Sequence, residues 1–383
     1  KWLQDGALPN VSSIPGLIST SLTWEKIKNT NIGVDFGAFN NRLTGSFDYY
    51  WRKSVGLVGP GVELPATLGI SVPSTNNTDL TTYGWELSIG WRDQIGEVRY
   101  GVKLNISDDQ TRIDKYPNPT NKLDMNKSDN KLAGQKLGDI YGFTTIGIAK
   151  TQEEMDNHLA SLPNGGQTAI GSNWAAGDIM YADINGDGKI STGASTLDDM
   201  GDLKKIGNST PRFRTGITID ASWKGIDFSM FWQGVLKRDW YPGENNMLFW
   251  GATGSGQWWS TALSNHLDYF RAADTAEDRL GPNVDAYYPR PLFNNKNHKT
   301  QTKYLQNAAY MRLKNLQIGY TLPKAWVNKV GLQNVRLYVS GENLLTITGL
   351  EDVIDPELAG YGWQGGMSYP LSKTYSFGLS VNF

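Results

Sequence analysis

The feature that most constrains this chain is the alternation of apolar and polar side chains, which is strictest in its final stretch, KTYSFGLSVNF, residues 373–383. Every second position there is large and apolar: Tyr375, Phe377, Leu379, Val381 and Phe383. Because successive side chains of a strand point to opposite faces, the stretch predicts a strand with one apolar and one polar face. An alternating strand that ends on an aromatic residue is typical of outer-membrane β-barrels, with lipid outside and water inside. The last strand of a soluble sandwich is the alternative.

The same alternation recurs along the chain. Eight further segments show it: residues 32–38, 43–51, 83–92, 98–106, 212–221, 227–233, 315–320 and 335–340. Membrane strands are tilted and about 9–11 residues long, so these segments have about the expected length. The sequence therefore predicts an all-β chain with about nine antiparallel transmembrane strands.

The connections between these segments alternate between short and long. The short ones lie near residues 39–41, 93–96, 223–225 and 322–334, and the long ones near residues 54–82, 107–210, 236–307 and 345–372. Loops beyond about 15 residues are uncommon in compact soluble domains. Outer-membrane barrels have short periplasmic turns and long extracellular loops. The pattern predicts a transmembrane β-barrel with these four loops outside the cell and the C-terminus in the periplasm.

Nine is an odd number of strands, whereas bacterial single-chain barrels have even numbers. The first predicted strand also begins close to the first residue of the sequence, with no plug and no partner strand before it. An open sheet in lipid would leave unpaired backbone groups at its edges. We therefore expect residues 1–383 to be the C-terminal part of one larger, plugged barrel whose N-terminal plug and early strands are absent here.

Composition excludes several classes of function. The net charge is −2, which does not suggest a nucleic-acid partner, and the chain has no cysteine for disulfides or thiolate chemistry. No apolar run approaches the ~20 residues of a membrane helix. Carboxylates are plentiful, but no pair is singled out by its context and no His is placed for a nucleophilic triad. We expect a protein that is not an enzyme.

Several blocks of sequence, spread in order over nearly the whole chain, resemble the C-terminal barrel region of SusC/RagA-family TonB-dependent transporters. They are LTWEKIKNTNIGVDFGAFNNRLTGSFDYY at 22–50, GQKLGDIYGFTTIG at 134–147, GDIMYADINGDGK at 177–189, NSTPRFR at 208–214, AAYMRLKNLQIGYTLP at 308–323, LYVSGENLLTIT at 337–348 and SYPLSKTYSFGLSVNF at 368–383. The resemblance implies a receptor in the bacterial outer membrane for active uptake of nutrients, either oligosaccharides or peptides. It also implies a SusD-like surface lipoprotein as a lid, and energy coupling to TonB through the missing N-terminal part.

One segment, DINGDGK at 183–189, has the pattern of a calcium loop. Asp183, Asn185 and Asp187 occupy positions 1, 3 and 5 of an EF-hand-type loop, and the carbonyl of Lys189 occupies position 7. Position 12 is Ala194 instead of a carboxylate, so Asp198, Asp199 or Asp202 would have to complete the site, and we expect Asp198 to do so. The alternative is a turn in which the side chains accept backbone hydrogen bonds. A bound Ca²⁺ would be structural.

The long segment 236–307 is rich in aromatic residues, which can stack on sugars or clamp peptides. The candidates for contact with ligand or partner are Trp240, Tyr241, Trp250, Trp258, Trp259, Tyr287 and Tyr288. The alternative for each is packing of the loop against itself, the barrel rim or the lid. The alternative for the whole chain is a soluble or surface-attached carbohydrate-binding β-module without transport, which would share the strands and the aromatics.

Overall fold

The structure is a computed structural model, and it describes residues 19–20, 22–61, 72–118, 121–123, 131–256, 262–277, 280–360 and 365–383. Within these residues, nine strands form one antiparallel sheet in which each strand pairs with the next one of the series. In order across the sheet they are β1 (Lys26–Ala38), β2 (Leu43–Gly59), β3 (Thr75–Ile95), β4 (Val98–Lys115), β9 (Arg212–Trp223), β10 (Ile226–Lys237), β13 (Tyr310–Thr321), β14 (Asn334–Thr348) and β15 (Thr374–Asn382). The predicted series of about nine antiparallel strands is confirmed.

The sheet is open. In the part of the chain that the structure describes, β1 pairs only with β2 and β15 only with β14, so both are edge strands. An open sheet with this strand order is the form expected for part of a transmembrane β-barrel, because edges cannot remain unpaired in hydrocarbon.

The register places the apolar residues of neighbouring strands opposite one another. Ile318 lies opposite Val339, and Val339 lies opposite Phe377. Because cross-strand partners share a face, these residues form one continuous apolar row on what we call the outer face. The Phe377 side chain is 84% exposed and Leu379 is 63% exposed in the isolated chain. Such exposed apolar area suits contact with lipid.

The short turns lie close to where the alternation predicts them. Between β1 and β2, residues 39–41 all have positive φ, and between β9 and β10 the turn is formed by Lys224 and Gly225 with φ of 46° and 87°. Consecutive positive φ values give two-residue hairpins the twist of the strands that they connect.

The predicted bounds of the long loops are wrong by several residues, because the strands run on past the apolar alternation. β2 continues to Gly59, β3 begins at Thr75 and β4 continues to Lys115. In this extension polar side chains bond across the strands, for example with 2.8 Å between the hydroxyl oxygens of Thr82 and Thr111. Backbone pairing therefore continues beyond the part of these strands in which apolar and polar residues alternate.

The loops at the long-loop end fold together into what we call the loop assembly, formed by the described residues of 116–211, 238–309 and 349–373. It contains the paired strands β5 (Asp139–Phe143) and β8 (Leu203–Asn208), β6 (Thr145–Ile148) and β7 (Ile179–Tyr181), and β11 (Asp239–Trp240) and β12 (Gln306–Asn307), together with helices α1 (Gln152–Ala160) and α2 (Met247–Trp250). The third helix, α3 (Lys324–Val327), lies in the turn between β13 and β14. Among the described residues, no helix is sufficiently long and apolar to cross a membrane.

Candidate functional site

The face of the sheet opposite the apolar rows is polar, and we call it the inner face. One row across it places Asp48 opposite Glu86, Glu86 opposite Ser107 and Ser107 opposite Arg214. The Arg214 guanidinium forms an ion pair with Asp109, two residues further along β4. A row of charged and hydroxyl groups of this kind suits a hydrated lumen.

The next inner rows mix charges of both signs. Lys103 lies opposite Thr218, and Gly101 lies opposite Asp220. A Cβ on Gly101 would come within 2.8 Å of the Asp220 carboxylate, so the glycine leaves room for that side chain to turn across the sheet. Arg99, Lys103 and Asp220 thus share one polar surface.

The loop assembly has its own hydrophobic core, and this changes the interpretation of the aromatic candidates. Trp240, Tyr241, Trp250 and Tyr288 are buried, each with less than a tenth of its surface exposed. Phe249 is fully covered and packs edge-on against Trp250, with 4.8 Å between ring centroids. Their rings are enclosed by other loop residues, which is the arrangement of the alternative interpretation, packing of the loop against itself. Contact of these four residues with a ligand or partner stays a prediction.

The polar atoms of these aromatic side chains are bonded inside the loop assembly as well. The Trp250 indole N–H donates to the Gly243 carbonyl at 2.9 Å, and the Tyr241 hydroxyl lies 2.7 Å from the His298 carbonyl. Buried Trp and Tyr side chains need such partners. Tyr287 is half-buried and packs against the same core. Trp258 and Trp259 lie outside the described residues.

A buried ion cluster joins two of the long loops. The Asp178 carboxylate accepts hydrogen bonds from Lys296 Nζ at 2.7 Å, from Asn297 Nδ2 at 2.9 Å and from two nitrogens of Arg290, each at 2.7 Å. Burial opposes ionisation of Asp178, but the donors from Arg290, Asn297 and Lys296 outweigh it and hold the pKa of the carboxyl below its usual range. The cluster connects β7 to the segment that precedes β13.

A second buried group surrounds His298. Its ring stacks on Trp250 with 4.1 Å between centroids, and its Nδ1–H donates to the Glu244 carbonyl at 3.1 Å. Burial lowers the pKa of His298 to about 3, so the ring is neutral at physiological pH. Burial also raises the pKa of Glu244, whose carboxylate accepts hydrogen bonds from Lys299 and Asn295.

The last long loop is fastened to the inner face of the sheet. Arg312 of β13, which lies opposite the inner-face residue Gln233, is 4% exposed and binds both Asp355 and Glu357, with nitrogen–oxygen distances of 2.9 and 2.6 Å. Arg238 adds hydrogen bonds to the carbonyls of Pro356 and Ala359. The described residues of 349–360 are therefore held against the mouth of the barrel wall.

The calcium-like segment forms a network of side-chain-to-backbone hydrogen bonds. Asp183 accepts from the N–H groups of Gly186 at 2.6 Å and Gly188 at 2.8 Å, and Asp187 accepts from that of Lys189 at 3.1 Å. Asn185 accepts from the N–H of Asp187 at 3.0 Å. This is the geometry of the alternative interpretation, an Asx-rich turn.

Of the three later carboxylates, Asp202 and not the preferred Asp198 lies beside this turn. Asp198 is exposed, whereas Asp202 is fully buried and accepts from the N–H groups of Ile184 and Ser191. Burial and the neighbouring carboxylate of Asp183 raise the pKa of Asp202. Within the described residues, no group of three or more acidic, His or Cys side chains is arranged to hold a metal ion. Calcium binding stays a prediction.

Sequence reasoning missed the ion clusters around Asp178 and Arg312. Their members are spread over three loops, with Asp178 and Lys296 118 residues apart. The one available signal was the polar stretch NNKNHKTQ at 294–301, which is much more buried than its composition suggests.

No family model matches the chain. TonB-dependent receptor P3 of Formosa agariphila is 31% identical over 384 residues, which cover 95% of this chain and 34% of that receptor. TonB-dependent receptor SusC of Bacteroides thetaiotaomicron is 25% identical over 393 residues, which cover 97% of this chain and 33% of SusC. The chain thus spans about one third of the length of the curated relatives that it matches.

Among solved structures, the RagAB peptide transporter matches with a TM-score of 0.69 and 24% identity, covering 94% of this chain and 36% of the matched chain. The RagAB peptide importer in its closed-closed state matches with a TM-score of 0.67 and 23% identity. At this level of identity the likeness shows a shared fold.

Proposed function

Since the chain belongs to the TonB-dependent receptors of the SusC/RagA family, we propose that it forms part of the wall and the extracellular loops of an outer-membrane importer of oligosaccharides or peptides. The observation that carries the proposal is the two-faced nine-stranded sheet, together with the sequence match to TonB-dependent receptors along nearly its whole length.

In this proposal, one face of the sheet contacts lipid and the other contacts water. Rows such as Ile318, Val339 and Phe377 would contact lipid, and the charged rows through Asp48 and Arg214 would contact the hydrated lumen. A soluble carbohydrate-binding module would have no use for an apolar outer face of this extent. The alternative function is therefore disfavoured.

The same proposal gives the orientation of the sheet in the membrane. The turns at residues 39–42 and 224–225 would face the periplasm, and the loop assembly would face the cell exterior. A SusD-like surface lipoprotein would then cover the loop assembly, and TonB would act through a part of the receptor that precedes this chain. RagAB is a peptide transporter, and this chain shares its fold.

Ligand selection would fall to exposed parts of the loops and to the inner face, because the buried aromatic residues of the loop assembly serve as its core. The polypeptide would move its ligand without chemical change. Calcium bound at residues 183–189 would add rigidity to one loop and take no part in transport.

The test is uptake by bacteria that express the full-length receptor. Labelled oligosaccharide and peptide mixtures are supplied to cells with the receptor gene intact or deleted, and material that enters the periplasm is measured. We expect deletion to abolish entry of one class, and co-purification to recover a lipoprotein with the intact receptor. Equal entry in both strains, or conversion of the ligand by the purified receptor, would refute the proposal.

A further inference from the structure

A cavity of about 400 Å³ lies where the barrel wall meets the loop assembly, and we call it the rim cavity. Its walls come from the later part of β4, the residues just before β5, the strand β8, the start of β9, the end of β10 and the start of β11. Four cationic side chains line it, whereas its described lining includes a single carboxylate, Asp239. The four are Lys136, Lys205, Arg212 and Lys237.

Two of these cations already have partners. Lys205 Nζ lies 2.7 Å from Asp139, and Arg212 binds Asp108 with two nitrogens. Among the described residues, Lys136 and Lys237 have no carboxylate within ion-pair distance. Two positive charges of the rim cavity thus remain without a counter-charge.

The backbone fixes where these two lysines lie. The N–H of Leu137 donates to the Thr111 carbonyl at 2.8 Å, which anchors the neighbouring Lys136 beside β4. Lys237 lies directly opposite Arg212 in the β9–β10 register. Like charges directly opposite each other destabilise a sheet. Asp108 already balances Arg212, so an anion in the cavity would supply the counter-charge that Lys237 lacks among the described residues.

Asp239, the carboxylate of the lining, accepts the Asn208 N–H at 2.8 Å through Oδ2 and, within the described residues, forms no ion pair with Lys136 or Lys237. The cavity also borders the lumen. Val235 lies opposite Arg214 of the inner face, so Lys237, two positions further along β10, lies on the inner face as well.

We propose that the rim cavity binds an oxyanion, either a carboxylate or a sulfate, carried by the imported ligand. Lys136 and Lys237 supply the uncompensated charge, and Arg212 and Lys205 add donors whose own carboxylate partners hold them in place. The proposal deepens the importer function and rests on it for the identity of the ligand. Ligand sites of about 300–1,000 Å³ are typical of proteins, so the rim cavity has room for one acidic residue of a larger molecule.

The first test is the binding of inorganic sulfate to the full-length receptor in detergent, measured by calorimetric titration. We expect saturable binding that weakens at least tenfold in the double variant Lys136→Gln/Lys237→Gln. Lys204→Gln is the matched control, because Lys204 is an exposed residue of β8 that does not line the cavity. Absence of saturable binding in the wild type, or equal weakening in the control, would overturn the site. This test involves no transport, so its result is independent of the proposed import.

The second test distinguishes the source of the anion. Sulfate bound to the wild type is competed with an acidic oligosaccharide, with an acidic peptide and with vesicles that contain lipopolysaccharide. Displacement by either acidic ligand, but not by the neutral form of the same molecule, supports the proposal. Displacement by lipopolysaccharide alone would overturn the assignment to an imported ligand and identify a membrane phosphate instead.

Discussion

Lys296 and Asp178 form a buried ion pair, with 2.7 Å between Nζ and Oδ2, that joins two long loops of the barrel. Both side chains are almost fully enclosed, since Lys296 is 4% exposed and Asp178 is not exposed. Two enclosed opposite charges depend on each other, because either one alone is costly to bury. The pair therefore holds these two loops together.

Removing the carboxylate of this pair should loosen the loop assembly. Asp178→Asn leaves Lys296 and Arg290 without their counter-charge, and we expect the local free energy of unfolding to fall by about 3–5 kcal/mol. Hydrogen exchange of the β7 amides in the full-length receptor measures the change. The control Asp285→Asn breaks the exposed pair with Lys150, which solvent screens, and should leave the protection of β7 nearly unchanged. Equal protection of β7 in both variants would contradict the prediction.

The loop assembly should also lose stability as the solution becomes acidic. His298 has a pKa of about 3 in the folded state, against about 6.5 when unfolded, so below pH 6.5 the unfolded state binds a proton that the folded state does not. Its contribution should fall by up to about 1.4 kcal/mol per pH unit from about pH 6.5 towards pH 3. His298→Gln should flatten this dependence, measured by hydrogen exchange of the loop assembly. An unchanged pH slope in the variant would show that another group is responsible.

The fold of the wall was predictable because its signal is local. The alternation that includes Phe377 and Leu379 is fixed by which face meets lipid, and the strand order follows from hairpins between consecutive segments. Strand ends were less predictable. Backbone pairing at Thr82 and Thr111 needs no apolar side chains, so nothing in the alternation marks where these strands stop.

The loop assembly was not predictable from the same reasoning. A Trp that stacks on a ligand and a Trp that packs inside a loop look the same in a sequence. Trp250 packs inside, where its ring stacks on His298. Its burial depends on contacts with residues about 50 positions away in the chain, and a single sequence carries no record of those contacts. The same applies to Arg312, whose partners Asp355 and Glu357 lie on a different loop.

The two faces of β15 should differ sharply in their tolerance of charge. Phe377→Arg places a cation on the apolar row with Val339, and we expect a cost of about 2–4 kcal/mol if this row lies near the middle of the membrane. The matched control is Ser376→Arg, one residue away and opposite Ser340 on the inner face. The fraction of heat-modifiable, folded receptor in outer-membrane fractions is measured. Similar folded fractions for the two variants would contradict the assignment of the faces.

The loop at 349–360 should be released when its anchor on β13 is removed. Arg312→Met leaves Asp355 and Glu357 close together without their shared cation, and we expect a local cost of about 3–5 kcal/mol. Protease cleavage within this loop should become faster on intact cells. Lys224→Met, which breaks the exposed pair with Glu97 in a turn at the other end of the wall, should leave cleavage unchanged. Unchanged cleavage in Arg312→Met would mean that Arg238 and the ion pair of Lys314 with Glu357 hold the loop without Arg312.

Calcium should protect residues 183–189 if the turn binds it. Asp187→Asn is the informative change, because the amide oxygen can still accept the Lys189 N–H and keep the turn, whereas the negative charge is lost. We expect millimolar calcium to slow hydrogen exchange of these amides in the wild type and not in Asp187→Asn, with equal exchange of both proteins in chelator. Asp156→Asn on α1 serves as a control for general charge. If calcium fails to change exchange in the wild type, the segment is a turn held by its own side chains and the calcium prediction is wrong.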